Sequence, residues 1–393
     1  MIQSPIFWAV LFGAAVVYWL IPRAARFWFL SLVSFGYLFS LEPFGTVALV
    51  GFVLLFFWAA PQAMAEGRRG NTIMFALIGA ILGWLIWFKY VPVFVGYWEG
   101  LGPGMQIAAP IGISYFTFKL IHYAIEMARG NIEDRRLDRF FCYVFLFPIF
   151  TAGPIERFDH FIANTEDTWD KQSMVEGLTR IVHGLIKAFV IAQFLNPANF
   201  GAPATAEQLL NRYEDIATYK IWIFLGVTYL FAYIDFSAYS DIAIGGARLF
   251  GFRIMENFNW PIFAVNISDF WRRWHMSLSS FCQNYVYVPV MARKRSPYWA
   301  AFATFLTMGI WHGATPGWVM WGVYHACGVA GYMAYARRMR RYKWWRDSDR
   351  NHWRWTGLPL TFAFVSGSYA FSSMGGEFWD SLKVLIACFG VRL

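Results

Sequence analysis

The sequence predicts an all-α integral membrane protein, crossed many times by helices. Of its 393 residues, 58% are hydrophobic and only 15% are charged, whereas a typical soluble domain carries about 25% charged residues. The polar surface that a water-facing globule of this size needs is therefore missing. Aromatic side chains make up 21% of the chain, and mean hydropathy is +0.41. Apolar runs recur from one end to the other. Together these observations exclude disorder, a coiled coil and a secreted disulfide scaffold.

The first run, 6–21, has no basic preamble and leads into Pro22-Arg23, so it reads as a span and not as a cleaved signal. Further runs follow at 27–41, 46–60, 73–98, 107–127, 140–149, 174–195, 219–236, 237–252, 298–311, 318–336, 358–371 and 378–389. About 20 apolar residues make one crossing, and runs of about 10–14 are re-entrant or buried inside a bundle, which leaves about 11 full crossings. No polar stretch is long enough for a soluble domain, and no internal repeat is evident. Residues 1–393 are expected to form a single transmembrane domain.

The net charge is +9. The basic residues lie between apolar runs and form no groove-reading motif, so no nucleic acid partner is expected. Arg23 and Arg26 follow the first run, Arg68 and Arg69 the third, and Arg129, Arg135, Arg136 and Arg139 the fifth. Arg293-Lys294-Arg295 comes later, and the densest cluster runs from Arg337 through Arg346 to Arg354. The turns near Pro43, 100–104 and 313–317 carry almost no positive charge. That alternation predicts an outside N-terminus and a cytoplasmic C-terminus in a bacterial inner membrane. The four cysteines, Cys142, Cys282, Cys327 and Cys388, are scattered through apolar sequence and read as small core residues, with no metal or disulfide framework.

Ionisable groups inside apolar runs are costly in lipid and face a partner or a cavity. Three stretches contain them. The first, PIGISYFTFKLIHYAIEMARG (110–130), breaks its helix with Pro110 and Gly112 and carries Lys119, either a kinked packing helix or a polar element at membrane depth. The second, 233–248, holds Asp235 and Asp241, with Arg248 as the expected partner of Asp241 in a structural polar core. The third runs from Asn257 through DFWRRWHMS (269–277), and after the basic turn reaches MGIWHG (308–313). Its two histidines, His275 and His312, both sit in Trp-rich polar interruptions. His312 ends an apolar helix at a glycine, where an imidazole can reach a cavity past a small neighbour.

These stretches, together with TAGPIERF (151–158) and YIDFSAYSDIAIGGARLFGFRIMENFNWP (233–261), resemble the membrane-bound O-acyltransferase family in its bacterial branch, over about residues 5 to 390. That branch includes the membrane proteins of alginate O-acetylation and of teichoic acid D-alanylation. The resemblance implies a helical fold around a thin centre with funnels opening to both faces. It also implies transfer of an acyl group from a thioester to a hydroxyl or amine. The position of the family's essential histidine is His312, and the second signature position is His275. Cys282-Gln283-Asn284 depart from the pattern, since relatives often carry an aromatic residue, an arginine and an aspartate there.

The chemistry fits those groups. A hydroxyl is a poor nucleophile unless its proton leaves as the new bond forms, and neutral imidazole, with its ordinary pKa near 6.5, suits the task. His312 is expected to be the general base, and His275 to orient the donor or polarise its carbonyl. Trp274, Arg273, Asn257 and Ser277 are expected to contact the acyl donor. No cofactor is expected to stay bound. The donor is a thioester, either acetyl-coenzyme A or a phosphopantetheine-linked acyl carrier protein. The acceptor is a cell-envelope polysaccharide, reached directly or through an extracytoplasmic serine-hydrolase-like partner. Within the family the alternative is D-alanylation of teichoic acid. From another class, an envelope-precursor transporter would use Asp235, Asp241 and Lys119 as relay groups.

Overall fold

The computed structural model describes residues 2–98, 109–343, 350–375 and 377–392. The predicted turn at 100–104 and Arg346 lie outside them. The described chain is helical, its strand content being one isolated bridge between Thr165 and Phe252. It divides into two compact units, one of Met1–Ile186 with Ala238–Glu256 and the other of Lys187–Ser237 with Asn257–Leu393.

The first unit opens with helices α1 (Pro5–Leu20), α2 (Arg23–Leu41) and α3 (Pro43–Ala59). Each begins at or beside a proline, whose fixed φ and missing N–H suit the first turn of a helix. The Glu42 carboxylate caps α3 by accepting the Gly45 N–H at 2.9 Å. Then come α4 (Arg68–Lys89), α5 (Val91–Trp98), α6 (Ile113–Ala128), α7 (Leu137–Phe145), α8 (Phe158–Ala163) and α9 (Lys171–Ile186). On α1 to α4 large apolar side chains such as Leu20, Leu32, Trp58 and Phe75 are exposed. In water such a surface would aggregate, whereas in lipid it is the ordinary outer face.

α6 is the buried member of this unit, and its Lys119 explains how α7 can stop in the interior. Pro148 cannot continue a helix, so α7 ends at Phe145 and leaves carbonyls without helical partners. The Lys119 ammonium, 1% exposed, donates to the Tyr143 carbonyl at 2.9 Å and to the Val144 carbonyl at 3.4 Å. The loop after α7 is held by Glu156, which is fully buried and accepts from the Arg157 N–H at 2.9 Å, the His160 ring at 2.7 Å and the Met255 N–H at 2.7 Å.

The second unit contains α10 (Ala206–Leu210), the Thr218–Ser237 part of helix α11 (Thr218–Arg248), α12 (Ile267–Trp271) and α13 (Met276–Cys282). It continues with α14 (Val288–Lys294), α15 (Pro297–His312), α16 (Pro316–Met339), α17 (Arg350–Ser373) and α18 (Phe378–Ala387). One of its apolar clusters joins Leu209, Tyr213, Ile221 and Leu225 to Ala370 and Val384, and the Trp222 indole ties it to the C-terminal end by donating to the Cys388 carbonyl at 2.9 Å.

Among the described residues, four helices are long and apolar enough to cross a membrane: Arg23–Leu41, Pro43–Met64, Arg68–Lys89 and Thr218–Arg248. The last corrects the reading of 219–236 and 237–252 as separate runs. Neither Asp235 nor Ser237 interrupts the backbone ladder, and the 31-residue helix continues through both, a length of about 46 Å at 1.5 Å per residue.

Candidate active site

The site is built in the second unit from the end of α15, the start of α16 and the segment 257–277. Ser296 and Pro297 start α15, and Gly313 stops it by turning to extended backbone at φ −167°. His312 is therefore the last helical residue. Pro316 starts α16 three residues after Gly313, and the first turn of α16 folds Trp318 back onto the imidazole. The two rings stack with centroids 4.8 Å and planes 20° apart. Trp321, one turn on, meets His312 edge-on at 5.2 Å, and Trp311 lies 4.7 Å away on the third side.

Close approach of α15 and α16 depends on two glycines. A Cβ at Gly309 would fall 2.4 Å from the Trp318 carbonyl oxygen, and one at Gly322 would fall 2.5 Å from that of Phe305. The helices thus meet backbone to backbone, as small residues permit in membrane bundles.

His275 is held differently. Its φ of +42° places a bulky side chain in the left-handed region, a conformation that costs about 1–3 kcal/mol and persists only where the surroundings impose it. The surroundings are residues 257–259. The Met276 N–H donates to the Asn257 carbonyl at 2.9 Å, the Ser277 hydroxyl to the Asn257 side-chain oxygen at 2.6 Å, and the Asn259 N–H to the Arg273 carbonyl at 2.9 Å. These bonds flank position 275 on both sides. The residue is 2% exposed, and its Nε2 has no hydrogen-bond partner among the described residues. Phe236 stands edge-on to it at 4.8 Å, and Trp311 reaches it at 6.3 Å. Trp311 thus contacts both histidines.

The donor-contact expectations for the neighbouring residues meet a specific geometry. Arg273 is engaged by Asp269 at 3.1 Å and by the Asn259 carbonyl at 3.3 Å. Asn257 and Ser277 are buried and bonded to each other. Trp274 packs among Tyr229, Tyr233, Phe258 and Phe270. All four brace the His275 loop in this arrangement.

The expected polar core is rearranged. Asp241 pairs with Arg180 at 2.5 Å, and not with Arg248. Arg248 instead meets Glu166 at 2.8 Å and Glu176 at 3.2 Å. The seven positions from 241 to 248 are nearly two helical turns, about 10 Å along the axis, so each residue finds partners on other segments. Asp235 is not core. It is exposed, since six residues along the helix rotate it about 120° from Asp241. Lys119, Asp241 and Arg248 belong to the first unit, and both histidines to the second.

Sequence reading missed His325 on α16, which is 1% exposed and whose Nδ1 has no hydrogen-bond partner among the described residues. The signal was present as a histidine in the middle of an apolar run. It also missed Trp318 and Trp321, which a Trp-rich chain hides among many equals. His312 shares Trp311 with His275 and Trp321 with His325.

The model of the membrane-bound O-acyltransferase family matches residues 85–376, a stretch that contains His275, His312 and His325. The chain belongs to that family. It is an acyltransferase and a multi-pass membrane protein. Among relatives of this membrane-bound O-acyltransferase, the teichoic acid D-alanyltransferase of Bacillus subtilis (strain 168) is 27% identical over 88% of this chain and 89% of its own length. The probable alginate O-acetylase AlgI of Pseudomonas aeruginosa is 33% identical over 75% of this chain and 61% of its own. The peptidoglycan O-acetyltransferase of Helicobacter pylori is 26% identical over 94% and 75%. The chain thus spans about three fifths of the length of the alginate relative.

Proposed function

We propose that this acyltransferase moves an acetyl group from a cytoplasmic thioester, acetyl-coenzyme A, toward a cell-envelope polysaccharide, with His312 as general base. The observation that carries the reading is the position of His312: an imidazole ending a hydrophobic helix at Gly313, clamped between Trp311, Trp318 and Trp321. Such a ring is held in orientation by three indoles while staying partly exposed, and keeping water from it once substrate is bound matters because hydrolysis of the thioester is the competing reaction.

In the step, His312 takes the proton of the acceptor hydroxyl as its oxygen attacks the thioester carbonyl. The C–O bond forms, the C–S bond breaks, and the proton passes from His312 to the departing sulfur. The unpartnered Nε2 of His275 is suited to donate to the carbonyl oxygen as negative charge develops there. The bundle has about 11 crossings with the C-terminus in the cytoplasm, and the acyl group passes to a serine-hydrolase-like partner outside. The names of the alginate and peptidoglycan relatives support acetyl as the group carried.

The second reading is D-alanyl transfer from a phosphopantetheine carrier. It is favoured by the match to the Bacillus D-alanyltransferase, which covers 88% of this chain and 89% of that one. Purified protein in nanodiscs, given radiolabelled acetyl-coenzyme A and then D-alanyl-loaded carrier protein, separates the two. Consumption of acetyl-coenzyme A that is lost in His312→Ala supports the first reading. Turnover of the carrier thioester alone supports the second, and turnover undiminished in His312→Ala refutes the base assignment in either.

A further inference from the structure

The ion-pair network of the first unit lines an open cavity of about 680 Å³, bounded by α9, the end of α11 and the segment after it. Glu176 and Arg180 line it from α9, and Arg248, Arg253 and Glu256 from the other walls. Arg180 is held by Asp241 and Glu256, Arg248 by Glu166 and Glu176, and Arg253 through its Nε by Glu166 at 3.0 Å. Three guanidiniums and four carboxylates thus come together, and the two signs nearly balance. Bonding capacity of both kinds is left over. The terminal nitrogens of the exposed Arg253 have no partner among the described residues. Arg248 is 6% exposed, and its Nη1 makes no hydrogen bond although Glu166 lies 2.8 Å away. Glu176 and Glu256 are exposed, and an ionised carboxylate offers about four acceptor sites, more than one guanidinium fills. Donors and acceptors side by side suit a ligand that carries both charges.

The surroundings are those of a membrane surface. Val175 lines the cavity and continues along α9 as an exposed apolar stripe with Leu178, Val182 and Ile186, a surface for lipid tails. Trp169, exposed just before α9 begins, has the side chain that settles at the level of lipid head groups.

We propose that this cavity binds the head group of a phospholipid in which a phosphate is joined to a primary ammonium, as in phosphatidylethanolamine. The phosphate takes the forks of Arg253 and Arg248, the ammonium lies between Glu176 and Glu256, and the acyl chains run along the α9 stripe. The 3.2 Å pair of Arg248 and Glu176 sets the two poles side by side, as they are in that head group. A polyphosphate such as acetyl-coenzyme A fits less well, because its charge would face four carboxylates. A choline head group also fits less well. It cannot hydrogen-bond a carboxylate, and Phe252 in the cavity wall is 1% exposed and forms no aromatic cage. The proposal is independent of the reading of His312.

The purified protein in detergent is titrated with phosphatidylethanolamine, phosphatidylcholine or phosphatidylglycerol of the same acyl chains, and separately with free phosphoethanolamine and with acetyl-coenzyme A. Retained ligand is read by native mass spectrometry, and stabilisation by the melting midpoint, which rises with any ligand that binds the folded state. The expected result is a single phosphatidylethanolamine retained and a raised midpoint, with binding about tenfold weaker in Arg253→Gln, which loses a charged hydrogen bond. Glu176→Gln is expected to retain phosphatidylglycerol in preference to phosphatidylethanolamine. Both positions are exposed, and the midpoint of each variant without lipid is the folding control. Equal retention of the three lipids, preference of the wild type for phosphatidylglycerol, or unchanged retention of phosphatidylethanolamine in both variants overturns the proposal. Protection by free phosphoethanolamine equal to that by the lipid also overturns it, by assigning the head-group chemistry to a soluble ligand. So does protection by acetyl-coenzyme A that is lost in Arg253→Gln, which would assign the cavity to the acyl donor.

Discussion

His312 and Trp318 lie ring over ring, with centroids 4.8 Å and planes 20° apart. The stack follows from a short turn: α15 stops before Gly313, α16 begins at Pro316, and the five residues between the two rings close on themselves. An imidazole at a helix end would otherwise have rotamer freedom. Here the indole face leaves it one plane, and a base held in a reactive orientation gains its advantage before substrate arrives. Trp318→Ala is therefore expected to lower acyl transfer by about 10²-fold, the scale of an ångström-sized misplacement. Measured turnover within threefold of wild type would contradict it.

Gly313 tests the same stack without touching either ring. Its φ of −167° is extended backbone open to any residue, so alanine there carries no conformational penalty. The added Cβ, however, would stand 2.2 Å from Cδ1 of Trp318 and 2.7 Å from its nitrogen. The indole must move. Gly313→Ala is expected to melt near wild type while losing most of its turnover, and a variant with normal kinetics would show that the stack is dispensable.

The left-handed backbone at His275 is maintained by Asn257, whose side-chain oxygen and carbonyl hold Ser277 and Met276. Ser277→Ala removes one bond to a buried amide, and Asn257→Ala removes the side-chain half of the clamp. Each is expected to destabilise the protein by about 1–3 kcal/mol. His275→Gly, in contrast, relieves the strained φ, so it should melt at or above wild type while losing activity. A lower melting point for His275→Gly would mean that the ring contributes more to packing than its backbone costs.

The helical membrane class was legible because it rests on a local signal, the apolar runs, and His275 and His312 stood out as candidates because each lies beside tryptophan. What was not legible depends on distance along the chain. Arg180 lies 61 positions from Asp241, and no sequence spacing favours it over Arg248, which is seven away. Asp235 and Asp241 look alike in sequence, and only the rotation of one unbroken helix separates an exposed carboxylate from a buried one. His325 was obscured in another way. Its Nδ1 lacks a hydrogen-bond partner among the described residues and five rings surround it, and neither property belongs to the residue itself.

Lys119 makes a prediction about stability alone. Its ammonium holds the Tyr143 and Val144 carbonyls where Pro148 ends α7. Lys119→Met keeps the length and apolar stem of the side chain but leaves two buried carbonyls with one partner fewer. A loss of about 1–3 kcal/mol for each orphaned group is expected, read as a lower melting midpoint in detergent. The folded fraction should turn over normally. If turnover per folded molecule also falls, Lys119 serves the reaction as well as the fold.

The last prediction concerns pH and the loop between α7 and α8, outside the apolar helices. The His160 ring lies 2.7 Å from the fully buried Glu156 carboxylate. Glu156 beside it raises the pKa of His160 above its ordinary 6.5, against partial desolvation, with Asp159 adding to the rise and Arg157 opposing it. The protonated ring is thus bound more strongly in the folded state than in the unfolded chain. Its contribution is fully present below about pH 6.5 and is lost as pH rises through the raised value. The imidazole is 36% exposed, so solvent screens the pair and the effect is modest. The melting midpoint is expected to fall between about pH 6 and pH 9, and His160→Gln, which keeps a donor but cannot titrate, should flatten that slope. If the slope is the same in the variant, the linked proton sits on another group and Glu156 is held by the Arg157 and Met255 amides alone.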